Sequence, residues 1–102
     1  MTIREKLEDI SSKAYFQFCG MCIELQEDDP VRIYDKVDGS CIFTVDYADW
    51  KKIPEELLNK EFKQVDIYKI PNTYIKPWAL CFYLDKPEKV EQGISLKTSF
   101  RS

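Results

Sequence analysis

Cys19-Gly20-Met21-Cys22 is a C-x-x-C spacing, and two chemistries use it. A redox pair needs its first thiol at the start of a helix, where aligned peptide dipoles lower the thiol pKa. Here the pair lies inside the apolar run 15–25. A structural zinc ion needs four ligands, commonly from two such pairs. The remaining thiols, Cys41 and Cys81, stand alone in segments that read as core strands. The four cysteines therefore read as free thiols, small buried hydrophobes in a reducing compartment, with a cysteine-ligated zinc protein as an alternative. The chain contains no histidine. That removes the commonest general base, the usual serine and cysteine triads and every histidine-containing metal site. Glycine occurs only at 20, 39 and 93, too sparsely for a phosphate-cradling loop. Nothing converges to make a nucleophile–base pair, so the expectation is a non-enzymatic binding protein with no metal or cofactor.

Two segments stand out as partner-binding candidates. Glu27, Asp28 and Asp29 cluster in a polar turn whose spacing departs from a calcium-binding loop. Asp46-Tyr47-Ala48-Asp49-Trp50 links a hairpin to a short helix, and Tyr and Trp are common interface anchors. Glu27, Asp28, Asp29, Asp46, Asp49 and Trp50 are thus the candidate partner-binding residues. The competing reading is a solvated turn and a Trp50 that staples the short helix onto the sheet. Tyr68 and Tyr74 carry the same ambiguity. The net charge is −3 and the pI about 5.0, which argues against non-specific nucleic-acid binding. Residues 1–85 carry 11 basic and 16 acidic side chains, and residues 86–102 carry 4 and 2. The pattern is an acidic body, one domain over 1–85, followed by a basic tail over 86–102.

The elements that must position these residues follow from periodicity. Thr2 and Glu5 fit a capping box, and Ile3, Leu7 and Ile10 recur at helical spacing, predicting a helix over 3–13. The aromatics of 15–25 favour a strand. Val31 and Ile33 alternate with polar residues, Asp38-Gly39 signals a hairpin through tolerance of positive φ, and Cys41, Phe43 and Val45 share one face of the return strand, predicting a hairpin over 31–46. Pro54 and two glutamates open a short helix over 53–59. Residues 62–70 read as a strand, and 78–84 as a central strand with both faces buried. The order implies an α+β fold: an antiparallel sheet of about five strands with an N-terminal helix and a short second helix. Apolar residues make up 44% of the chain, enough for one core, and no run is long enough to span a membrane. The mixed-charge N-terminus does not read as an export signal, so the expected location is the bacterial cytoplasm.

Val31-Arg32-Ile33-Tyr34-Asp35, Asp38-Gly39, the run 43–50, the run 53–62, the strand around Ile67 and the strand 78–84 together resemble small proteins encoded by phages and other mobile elements of Gram-positive bacteria. The resemblance covers about residues 31–85 and carries over no functional residue. Some small acidic proteins from that setting are anti-CRISPR inhibitors, which block a host nuclease by direct binding. The resemblance thus implies an inhibitor of host defence, with acidic residues covering a basic nucleic-acid groove. A phage regulator that binds nucleic acid through Lys86, Lys89, Lys97 and Arg101 is a second reading.

Overall fold

The computed structural model describes residues 1–70 and 78–86. The tail cations Lys89, Lys97 and Arg101, and Tyr74, lie outside the described residues. In chain order the elements are α1 (Ile3–Lys13), β1 (Phe16–Phe18), β2 (Met21–Ile23), β3 (Pro30–Lys36), β4 (Cys41–Asp46), a 3-10 helical stretch (Tyr47–Lys52), α2 (Glu55–Leu58), β5 (Gln64–Lys69) and β6 (Trp78–Asp85).

α1 begins at the expected capping box. The Glu5 amide donates to Thr2 Oγ1 at 3.2 Å, and the Thr2 amide donates to Glu5 Oε1 at 2.8 Å. It ends where Ala14 turns left-handed, at φ 69°. Ile3, Leu7 and Ile10 form its buried stripe, each contributing roughly 1.5–3 kcal/mol of burial. Arg4 Nη2 meets Glu55 Oε1 at 2.8 Å and ties α1 to α2.

The fold is α+β, with a four-stranded sheet in the order β4-β3-β6-β5. It is a pair of antiparallel ladders, β3 with β4 and β5 with β6, joined through a parallel β3–β6 pair. The parallel pair departs from an all-antiparallel sheet. It arises because the 3-10 stretch and α2 carry the chain across one face, so that β6 returns between β5 and β3. These two inner strands supply the most deeply buried sheet residues, Val31, Ile33, Leu80 and Phe82, which are fully buried under the helices. Phe62 packs edge-on against Phe82 at 5.0 Å.

The 15–25 segment is not one strand of this sheet but a separate hairpin, β1–β2. Its two-residue turn is Cys19-Gly20, with φ 50° and 82°, the paired positive values of a primed turn that matches strand twist. The Asp38-Gly39 turn, expected to use positive φ, does not: neither residue lies in that region. Gly39 serves a close approach instead. Its amide donates to Lys36 O at 2.9 Å, and a Cβ there would sit 3.2 Å from the Lys36 nitrogen. Further along, Ile33 pairs with Phe43 but Tyr34 pairs with Cys41, so Ile42 is an extra bulged residue. The bulge flips Cys41 off the core face, where simple alternation had placed it. Cys19, Cys22 and Cys41 are therefore exposed, and only Cys81 is the buried hydrophobe expected of all four.

Candidate interaction surface

β6 is the strand that divides the molecule. Leu80 and Phe82, with Trp78 and Leu84 packed against them, join the core beneath α1, α2 and the 3-10 stretch. Ala79, Cys81 and Tyr83 point the other way and form a separate cluster with Tyr34, Val37 and Ile70. Among the described residues neither the helices nor the β1–β2 hairpin contributes to that second cluster.

The registers line up this second face in cross-strand rows. Thr44, Arg32, Cys81 and Asp66 form one row; Cys41, Tyr34, Tyr83 and Gln64 form the next. Tyr68 stands beside Ala79, one step from the first row. Arg32 Nη1 donates to the Tyr68 hydroxyl at 2.6 Å, reaching from β3 across β6 to β5. Tyr34 and Tyr83 stack with ring centres 5.2 Å apart. Gln64 Nε2 donates to Asp66 Oδ2 at 2.9 Å. Long side chains from the flanking strands thus lie over small central ones, which is why Ala79 and Cys81 are fully buried with no described helix above them.

The electrostatics fit a partly dry, hydrogen-bonded layer. Burial pushes the Cys81 thiol up, and burial beside that thiol pushes the Tyr83 and Tyr68 hydroxyls up as well. Burial alone would lower the Arg32 guanidinium, but Tyr68 and Tyr34 outweigh it and hold the group above its usual range. The thiol here is a poor nucleophile and the phenols stay protonated, so the arrangement offers hydrogen bonds and aromatic area.

Apart from Asp46, which ends β4 on this same face, the acidic candidates occupy a different edge. The Tyr47 amide donates to Asp29 O at 2.8 Å and the Ala48 amide to Glu27 O at 3.0 Å, so the 27–29 turn and the 46–50 segment come together. Glu27, Asp28 and Asp46 are exposed, and Asp49, half-buried, lies 3.8 Å from Lys52. Asp29 and Trp50 are not available as contact residues. Asp29 is 1% exposed, because its carboxylate accepts the Gln26 amide at 2.7 Å and the Trp78 amide at 3.3 Å. Trp50 is 6% exposed in the core and holds the 3-10 stretch against the sheet.

The cysteines are dispersed over the hairpin tip, the β4 edge and β6, and no cluster of three His, Cys, Asp or Glu suited to a metal occurs among the described residues. No helix among them is long and apolar enough to cross a membrane. A shallow cleft of about 260 Å³ lies where α1 meets β1, lined by Lys6, Asp9, Lys13, Tyr15 and Phe16. Its cations are already engaged, Lys13 with Asp9 at 3.4 Å and Lys6 over the Phe16 ring at 4.9 Å.

Sequence reasoning missed the second face, except for Tyr68. Its one local signal was the polar alternation of Arg32 and Tyr34 with Val31 and Ile33. Comparisons of the chain with protein-family models, with curated proteins and with solved structures return no match.

Proposed function

We propose that this chain acts by binding a protein partner through its second sheet face, without catalysis of its own. The observation that carries the reading is Arg32, Tyr34, Tyr68 and Tyr83 side by side on a face that no described helix covers. Tyr and Arg are enriched at protein interfaces and at their energetic centres, because they combine large area with directed hydrogen bonds. Among the described residues the charges on this face are Arg32 and Lys36 against Asp46, Asp66 and Asp85, so they do not make the basic groove that should accompany base-stacking aromatics. Inhibition of a host-defence nuclease is the form of this activity that the phage-protein resemblance implies, with the exposed Glu27, Asp28 and Asp46 available to a basic groove.

The test is retention of a partner by immobilised full-length chain from Gram-positive bacterial lysate, followed by a cleavage assay with any CRISPR nuclease so identified. Tyr68→Ala and Arg32→Glu, both at partly exposed positions, should abolish retention while leaving the fold intact. Retention unchanged in both variants would exclude this face.

A further inference from the structure

We infer that this face also takes a second copy of the same chain, packed sheet to sheet about a twofold axis; the inference rests on the reading of the face as an interface. A twofold contact requires a patch that is complementary to itself. The registers supply one. Arg32 and Asp66 flank Cys81 on opposite sides in one row, and Tyr34 and Gln64 flank Tyr83 in the next. With strands ~4.8 Å apart, Arg32 and Asp66 stand about 10 Å apart across the face. A twofold axis lying along β6, between two facing sheets, carries each residue to the opposite side of β6. Arg32 of one copy then faces Asp66 of the other, twice, and Tyr34 faces Gln64. Tyr83 meets its own equivalent on the axis, where offset aromatic packing is favourable.

The two charges have room for that role. Among the described residues neither Arg32 nor Asp66 forms an ion pair. Among the described residues Arg32 meets only neutral partners, the hydroxyls of Tyr68 and Tyr34, and has donors left over. Among those residues the Asp66 carboxylate accepts from the Gln64 amide alone. The chain as a whole is acidic, which opposes self-association elsewhere on its surface. On this face Arg32 sits on β3 and Asp66 on β5 in one row, so turning the copy over brings these two unlike charges together, while Asp85, at the end of β6, meets its own equivalent near the axis and weakens the contact. The face is small. Four strands of six to eight residues present roughly 400 Å² in projection per copy, about half of a standard interface. The dimer is accordingly weak and concentration-dependent.

Sedimentation equilibrium of the full chain tests this at low salt, with reductant present so that exposed Cys19, Cys22 and Cys41 cannot cross-link copies. The expected result is a rise from monomer to dimer mass between about 10 μM and 1 mM, the range of weak interfaces of this size. Arg32→Glu and Asp66→Lys should each move that midpoint up by about tenfold or more. Mixing the two variants, or combining both changes in one chain, should restore it, because unlike charges then face each other again across the axis. Monomer at every concentration overturns the inference, and so does a dimer indifferent to all four combinations. The two readings separate cleanly. A monomeric chain whose lysate partner is still lost on Tyr68→Ala keeps the protein-binding reading and loses the second copy. A charge-sensitive dimer that retains no lysate partner gives the reverse.

Discussion

Asp29 is the most informative residue to remove. It sits in a run of three acids, yet only this one is buried, with no basic partner among the described residues and two backbone donors on its carboxylate. The Gln26 amide at 2.7 Å closes the turn before β3, and the Trp78 amide at 3.3 Å holds the start of β6 beside it. Asp29→Ala leaves both N–H groups without that acceptor. A short hydrogen bond to a charged group contributes roughly 1.5–3 kcal/mol and the longer one about 0.5–1 kcal/mol. Relief of the carboxylate's own desolvation offsets part of this. The main-chain bonds of Asp29 to Gln26 O at 3.1 Å and from the Tyr47 amide at 2.8 Å survive. The net expectation is a loss of about 2–3 kcal/mol. Asp29→Asn keeps one oxygen and so one of the two contacts, for a loss of about 1–2 kcal/mol. Urea denaturation at constant slope measures both, with Asp28→Ala as the exposed control expected within about 0.5 kcal/mol of the parent. If Asp29→Ala were no worse than Asp28→Ala, the carboxylate would not be the pin that joins turn to strand, and the reasoning would be wrong.

Three further outcomes are expected. Titration of the native chain with a thiol reagent should give three fast equivalents, from Cys19, Cys22 and Cys41, and a fourth only on unfolding, because Cys81 is buried with a raised pKa. Cys19→Asn should stabilise the β1–β2 hairpin by about 0.5–1 kcal/mol in urea melts, since Asn tolerates the positive φ better, whereas Gly20→Ala should destabilise it by about 1–2 kcal/mol. The Thr2 amide holds the Glu5 carboxyl below the usual glutamate range, so its contribution is complete above the unfolded pKa and disappears as pH falls through the folded one. Glu5→Gln should flatten that acidic limb of the stability–pH profile.

What could be read from the chain was what local physics determines. Thr2 and Glu5 cap α1 through contacts three residues apart, and Ile3, Leu7 and Ile10 need only the helical period. The alternation of β6 fixes both of its faces wherever its neighbours lie. Asp38-Gly39 and Cys19-Gly20 show where this stops. Both are short turns with a glycine second, and the aspartate made the first the stronger signal, yet the primed geometry occurs only in the second. The longer turn at 37–40 comes with the Ile42 bulge, which depends on how β4 seats Phe43 opposite Ile33. Asp29 was legible as an acid in a turn but not as a buried one, since its second donor comes from Trp78, 49 residues away. The second face needed the same long-range information. Arg32 and Tyr68 meet only because β6 inserts between the strands that carry them.

That insertion also explains how the face persists without a covering helix among the described residues. An aliphatic sheet face of this width left open to solvent would favour aggregation. Here the buried centre is kept small, Ala79 and Cys81, and its cover comes from side chains with apolar bodies and polar tips. Arg32 and Tyr68 close over the strand by bonding to each other, and Tyr34 and Tyr83 stack beside them. A partner that docks here must leave that strap in place or replace its hydrogen bond. The guanidinium's remaining donors and the tyrosine hydroxyls favour a surface rich in acceptors, carboxylates above all, set around an apolar or aromatic contact. On the proposed reading, partner selection rests on polar tips at the rim of β6, while stability rests on Leu80 and Phe82 beneath it. Tyr68→Ala and Phe82→Ala should separate the two: the first costs binding at nearly unchanged stability, the second about 3–5 kcal/mol of stability.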